Sequence, residues 1–358
     1  MFRRSFVEIN LDNITKNALF FKNKSDKNII GVVKANGYGS VDYMEVKALK
    51  EAGVYFFAVS SLDEALHLRK YGVNDKILVL GYIPYDGLNL VRENNISIVT
   101  VSKQYVEEAD LDGINVHIKL NTGMNRIGIK PEQAKEVLDI LLNKGANVEG
   151  IMSHFSSADC DLEYTLKQYE TFKLCVQSIQ HTFKYIHMSA TDASIILNDD
   201  ICNYQRIGLG LLGYSSYETP LKPAISLYSE VSEVKKVDAG ETVSYGRHYT
   251  SDGQGYILTL PIGYADGFYR ANTGSEVYIN GEYGKIVGSI CMDQMMVHTN
   301  NYYPVGSKVE LLGEHIDINQ RAKKLGTISY ELLTSLSDRL SRIYIKDDAI
   351  YKTIDPRY

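Results

Sequence analysis

Short apolar runs recur through the first part of the chain, separated by segments with helical spacing. Strand-like runs fall at 29–34, 55–60, 76–80, 96–101, 114–120, 147–153, 185–188 and 203–207. Near-continuous apolarity, rather than alternation, is the signature of strands buried on both faces of a parallel sheet. Helical patterns lie between them. Examples run from Asn13 to about residue 23, over 41–52 closed by Gly53, over 62–71 closed by Gly72, over 131–144 between Pro131 and Gly145, and over 161–182 with Asp161 as N-cap. Proline at the start and glycine just past the end are helix punctuation. The alternation predicts an α/β chain whose eight strands close into a (β/α)8, TIM-like barrel over 12–221. An open doubly wound sheet is the competing arrangement, but no GxGxxG follows an early strand.

The pattern changes after Pro223. Runs at 226–237, 255–261, 275–279, 285–291 and 308–312 alternate and are broken by glycine-containing turns. They predict a C-terminal antiparallel β domain over 222–358. Helical patches at 318–325 and 331–340 precede a last strand at 342–345. The alternation of 5–11 reads as a strand that joins this second domain.

Composition narrows the function. With a net charge of -6 over 358 residues there is no electrostatic case for nucleic acid or an anionic membrane. Cys160, Cys175, Cys202 and Cys291 lack CxxC spacing, which argues against zinc and for a reducing, cytoplasmic compartment. No window reaches membrane-spanning length, and the N-terminus lacks a signal-peptide core.

Barrel strands gather functional groups where they end. Here those ends are polar on one side: Lys34, Lys119-Leu120-Asn121, Ser153-His154, His187-Met188-Ser189 and Gln205-Arg206. A lysine at the end of a buried strand has a lowered pKa, and a neutral amine can form a Schiff base. A lysine snorkelling to the sheet rim would give the same local pattern. Thr191, and the glycines after Arg206, supply a hydroxyl and backbone N–H groups of the kind that hold phosphate in the last two barrel loops. Helix capping and tight packing explain those residues equally well.

The stretch Val32-Val33-Lys34-Ala35-Asn36-Gly37-Tyr38-Gly39 resembles the cofactor-lysine motif of bacterial alanine racemases. The resemblance continues through 117–128, Ser153-His154-Phe155, Ser244-Tyr245-Gly246, 262–267 and Cys291-Met292-Asp293-Gln294. It implies a pyridoxal 5'-phosphate enzyme, a (β/α)8 barrel with a C-terminal β domain, that acts as a homodimer with shared active sites. Lys34 is then the Schiff-base lysine and the base on the D face. Tyr245, lent by the other subunit, is the base on the L face and is supported by His154. A free phenol titrates at about 10, so such a base needs a cationic or hydrogen-bonding setting. Arg206 would bond the pyridine nitrogen, with His187 behind it. Tyr38, Thr191, Gly208, Leu209 and Tyr330 would hold the phosphate. Arg126 and the backbone of Met292 would meet the substrate carboxylate, and Tyr264, Asp159 and Arg270 would line its access path. Lys119 matches a position carbamylated in some members.

The chain departs from the family pattern at four places: Ala190 for a common Asn, Ser289 for a common Arg, Asn121 for a frequent Asp, and the tail 332–339. The tail resembles the serine-racemising branch, whose members tend to carry Asn where Tyr330 stands here. The sequence therefore predicts an alanine racemase supplying D-alanine for peptidoglycan, with a serine or dual-specificity racemase as the alternative. A non-catalytic pyridoxal-phosphate carrier would lack Tyr245. A decarboxylase would be expected to place an acid where Arg206 stands.

Overall fold

The eight apolar runs close on themselves. A computed structural model describes residues 3–355, which form two compact units. One is Asn13–Gly37 with Val41–Lys222; the other is 3–12 with Tyr38–Ser40 and 223–355. In the first, strands Asn28–Val32, Phe56–Val59, Lys76–Val79, Ser97–Val99, Asn115–Lys119, Asn147–Met152, Tyr185–His187 and Tyr204–Ile207 pair in sequence order, all parallel. The last closes on the first, with Ile207 opposite Gly31. This is the expected (β/α)8 barrel.

Several elements are shorter than their sequence patterns. The first barrel strand stops at Val32, so Lys34 stands in the following loop rather than at the strand end. The helix predicted over 161–182 runs Leu162–Ser178. Asp161 caps it, accepting from the Tyr164 N–H at 2.9 Å. It stops where the Ser178 hydroxyl bonds back to the Cys175 carbonyl and Ile179 turns extended.

The barrel interior is layered by the two-residue period of its strands. Phe56, Tyr185 and Tyr204 meet edge to face, with ring centroids 5.1–5.9 Å apart. One residue pair further along come His117 and His187, both fully buried, then Lys119 at the end of its strand.

The second unit is a ten-stranded sheet. Its spatial order is Glu233–Val237, Gly255–Leu260, Met295–Thr299, Glu282–Val287, Glu276–Ile279, Lys308–Leu312, Ile225–Glu230, Ser5–Asn10, Ser341–Lys346, Ala349–Ile354. It is mostly antiparallel; Ser5–Asn10 runs parallel to Ser341–Lys346. The run 226–237 is two strands, because residues 231–232 carry the chain from one side of the sheet to the other. The run 285–291 is Glu282–Val287, ended by Gly288 at φ +66°. The helix predicted over 331–340 is Ser329–Thr334.

Arg342 has no exposed surface. It donates from Nη1 to the carbonyls of Ser337 and Leu340, from Nη2 to Leu336, and from Nε to Gly39. The Tyr344 hydroxyl donates to the Ser40 carbonyl at 2.8 Å. A buried guanidinium is tolerable where four of its five N–H groups meet carbonyls, and the Asp338 carboxylate lies 4.0 Å from Nη2. Together the two side chains pin the segment that carries Tyr38.

Candidate active site

The loop after the first barrel strand winds with the wrong hand. Ala35, Asn36 and Gly37 have φ/ψ of 53/47°, 54/48° and 62/41°, and Tyr38 has φ 52°. Such a left-handed turn costs about 1–2 kcal/mol for each residue with a Cβ. Gly39 at φ +92° has no freedom to be anything else, since a Cβ there would lie 2.7 Å from the Leu333 carbonyl oxygen. The turn is tied down by the Glu64 carboxylate. That group accepts from the N–H of Ala35 at 2.7 Å and of Ser60 at 2.6 Å.

Lys34 starts this turn. Burial, then Arg126 and Arg206, lower its pKa, with Glu64 opposing. Lys119 is 5 % exposed, and burial with the charges of Arg206, Arg126 and Lys34 brings it down to about 7. The mouth of the barrel thus gathers four cationic side chains, and two of them are lysines eased toward the neutral amine.

Arg206 organises the centre. Its Nη1 donates to His187 Nδ1 at 2.8 Å. Its Nη2 meets the carbonyls of Ser153 and Met188 and His154 Nδ1, at 2.8–2.9 Å. Burial lowers it only to about 10, so it stays protonated at neutral pH. The Nε–H donates to none of the described residues. Because arginine only donates, both histidines must present a bare Nδ1 and carry their proton on Nε2. Burial first, then Arg206, holds both imidazoles well below the usual histidine range, so both are neutral. His154 is partly exposed, and its Nε2–H is left as a donor.

The loops after the last two strands lie together. The Thr191 hydroxyl accepts from the Gly210 N–H at 3.1 Å. A Cβ on Gly210 would come within 2.8 Å of Phe21 and Thr191, so only glycine fits there. The N–H groups of Gly208 and Leu209 bond to no carbonyl among the described residues.

Arg126 is exposed on the loop after strand Asn115–Lys119. Asn121 shapes that loop: its Oδ1 accepts from the N–H of Gly123 and of Asn125, at 3.2 and 2.9 Å. Gly123 sits at φ +135°, and a Cβ would lie 2.4 Å from the Tyr164 hydroxyl. Asp159 is exposed on the same unit, in the loop before the long helix.

The remaining predicted residues belong to the sheet unit. Tyr245 is 75 % exposed in the loop between the short paired strands Thr242–Val243 and Tyr249–Thr250. Ser244, Gly246 and Arg247 around it all have positive φ. Ser289 steadies the loop, its hydroxyl donating to the Tyr245 carbonyl at 3.2 Å while its own carbonyl accepts from Ser244. The serine that departs from the family arginine thus has a structural partner here. Tyr245, Tyr264, Arg270 and Met292 line one open cavity of about 850 Å³. The Tyr264 loop is fixed by Asp266, which accepts from the Gly263 N–H and makes two 2.6 Å bonds to Arg3. Tyr38 and Tyr330 face each other with ring centroids 6.0 Å apart.

Three residues went unread as a group: Glu149, Lys76 and the interior role of His117. Glu149 lies inside an apolar run, and a charge in such a run was the available signal.

Similarity to known proteins follows the same division. The chain matches the family models described as "Alanine racemase, N-terminal domain" over residues 9–216 and "Alanine racemase, C-terminal domain" over residues 224–344. It is 38 % identical to an alanine racemase of Staphylococcus epidermidis, covering 97 % of this chain and 96 % of that one. It is 34 % identical to alanine racemase 1 of Bacillus subtilis, covering 99 % and 96 %. A solved Bacillus anthracis alanine racemase with bound L-Ala-P superposes with a TM-score of 0.93 at 35 % identity, over 99 % of this chain and 98 % of that chain. With both halves matched and the full length shared, the chain belongs to the alanine racemase family.

Proposed function

We propose that this protein interconverts L- and D-alanine as a homodimer using pyridoxal 5'-phosphate, in the cytoplasm, and supplies D-alanine for peptidoglycan. The observation that carries the reading is Arg206. Four acceptors hold its two terminal nitrogens, and its Nε–H has no acceptor among the described residues, beside a lysine of lowered pKa. The donor set fits this cofactor. The spare Nε–H suits an unprotonated ring nitrogen, the Lys34 amine suits an aldehyde carbon, and the free N–H groups of Gly208 and Leu209 beside Thr191 suit a phosphate. Tyr38 and Tyr330 keep the phosphate role that the family resemblance gives them. Free thiols at all four cysteines fit a reducing compartment.

When bound, pyridoxal phosphate withdraws electrons from the substrate Cα and acidifies its hydrogen. Arg206, always a donor, keeps the ring nitrogen bare and moderates that withdrawal. Lys34 removes or returns the proton on the D face. Tyr245 from the partner subunit does so on the L face, and the Nε2–H of His154 stabilises the phenolate. Arg126 and the Met292 backbone orient the carboxylate; Tyr264, Asp159 and Arg270 line the way in. Two bases are needed because a planar centre must lose a proton on one side and gain one on the other.

Purified protein with pyridoxal phosphate is expected to racemise alanine faster than serine, as followed by chiral chromatography. Faster serine turnover would make the serine racemase reading correct. The larger substrate must fit beside Tyr330, and an added hydroxyl is rejected only modestly by bulk.

Lys119 is proposed to be carbamylated. At about 7 its amine is half neutral at neutral pH, and the neutral amine attacks CO2, releasing one proton. The product replaces a cation with an anion among Arg126, Arg206 and Lys34. Modification should rise as pH climbs through 7. Intact mass at pH 8 with bicarbonate should show one added CO2 that acid removes; an unchanged mass refutes the proposal.

A further inference from the structure

The carboxylate of Glu149 lies behind His117 and His187, on the side of the barrel interior away from Arg206. His117 Nε2 meets Glu149 Oε1 at 3.2 Å, His117 Nδ1 meets His187 Nε2 at 2.8 Å, and His187 Nδ1 accepts from Arg206 Nη1 at 2.8 Å. The far end of Glu149 is held by Lys76 Nζ at 2.6 Å and the Ser97 hydroxyl at 2.7 Å. Two further features show that the row is built rather than incidental. Between strands Asn115–Lys119 and Asn147–Met152 the register shifts, so Val116 faces Val148 and His117 faces Gly150. Glu149 is therefore the extra residue of a β-bulge, a device that re-aims a side chain. Gly150 gives the His117 ring its place: any Cβ there would lie 2.3 Å from His117 Nδ1.

We propose that Glu149 is a positioning residue for Arg206, acting by fixing the proton positions of His117 and His187. Each nitrogen along the row must be either a donor or an acceptor. Arginine can only donate, so His187 carries its proton on Nε2. That proton points at His117 Nδ1, which must be bare, so His117 also carries its proton on Nε2. That last proton needs an acceptor, and Glu149 is the one present. The charged and titratable groups facing the two rings are Glu149, Lys76, Tyr185 and Arg206. Burial keeps both imidazoles neutral. Burial alone would raise the Glu149 carboxyl, but its bonds to His117, Lys76 and Ser97 bring it down to about 2, so it stays an anion. With the row locked, the guanidinium cannot rotate without leaving a buried donor unpaired. Its Nε–H keeps one direction. This inference rests on the reading that Arg206 faces the cofactor ring.

The test reads tautomers first, which needs neither substrate nor turnover. In the full-length protein with 15N-histidine, signals assigned through His117→Gln and His187→Gln should both be neutral and Nε2-protonated from pH 6 to 9. An Nδ1–H signal or a titration in that range from either ring overturns the proposal, whichever amino acid the enzyme takes. Glu149→Gln can turn its amide N–H toward His117, and the mixture of tautomers that results should reach His187. In the holoenzyme kcat should fall by about 10–100-fold with little change in KM, by analogy with the loss of an outer-shell partner of a metal-bound histidine. The visible absorption of the bound cofactor should shift its pH profile. Glu149→Asp, which keeps the anionic acceptor, should restore the tautomers. Unchanged tautomers and unchanged kcat in Glu149→Gln would refute the proposal. The wild-type spectrum decides the matter if that variant does not fold.

Discussion

Lys34→Ala is expected to bind pyridoxal phosphate without the visible band of a covalent adduct, and to lose alanine racemisation by about 10⁴-fold or more, since one residue supplies both the attachment and a base. The fold should survive, because Lys34 is only partly buried and its side chain makes no hydrogen bond with the described residues. The measurement is an absorption spectrum after dialysis, paired with the rate. A retained visible band means that another amine holds the cofactor. The same variant should respond to added methylamine, a small base able to occupy the vacated volume; rescue would separate lost chemistry from lost structure.

Tyr245→Phe should slow racemisation in both directions by about 10²–10⁴-fold, the range for a missing general base. The direction of isotope exchange makes this specific. Lys34 can still remove the Cα deuteron of D-alanine, exchange it with water and return a proton to the same face. Deuterium washout from D-alanine should therefore persist while washout from L-alanine falls with the racemisation rate. Equal washout from both enantiomers would remove Tyr245 from the L face. The phenol is 75 % exposed and its backbone is held by Ser289, so the substitution should leave stability within about 0.5 kcal/mol.

Much of the architecture was readable because barrel strands are buried on both faces and announce themselves as apolar runs. The sheet unit was harder. Met295–Thr299 was missed although Met295, Val297 and Thr299 are buried and the residues between them are less so. Five residues of alternation are too few to carry much weight on their own. Ala349–Ile354 was missed for another reason. It is the outermost strand, its side chains are almost all exposed, and no burial pattern existed to be read. At the candidate site, Lys34, Arg206 and His187 could be picked out because a charged or ionisable side chain closing an apolar run needs a reason. Glu149 interrupted an apolar run in the same way, but its role depends on a register slip between two strands that the sequence does not display. The partners of Arg206 come from the ends of two separate strands, Asn147–Met152 and Tyr185–His187, and no spacing along the chain encodes that convergence.

The reversed turn after Lys34 has a consequence for how this stretch can vary. Threonine, valine or isoleucine at 35 or 36 would clash with the backbone before any chemistry was at stake, and at 39 even one methyl group collides with a carbonyl. The short alphabet of Ala-Asn-Gly-Tyr-Gly is thus a record of handedness as much as of reactivity. A scaffold that borrowed the lysine but entered the next segment through an ordinary right-handed bend would send its amine off along a different axis.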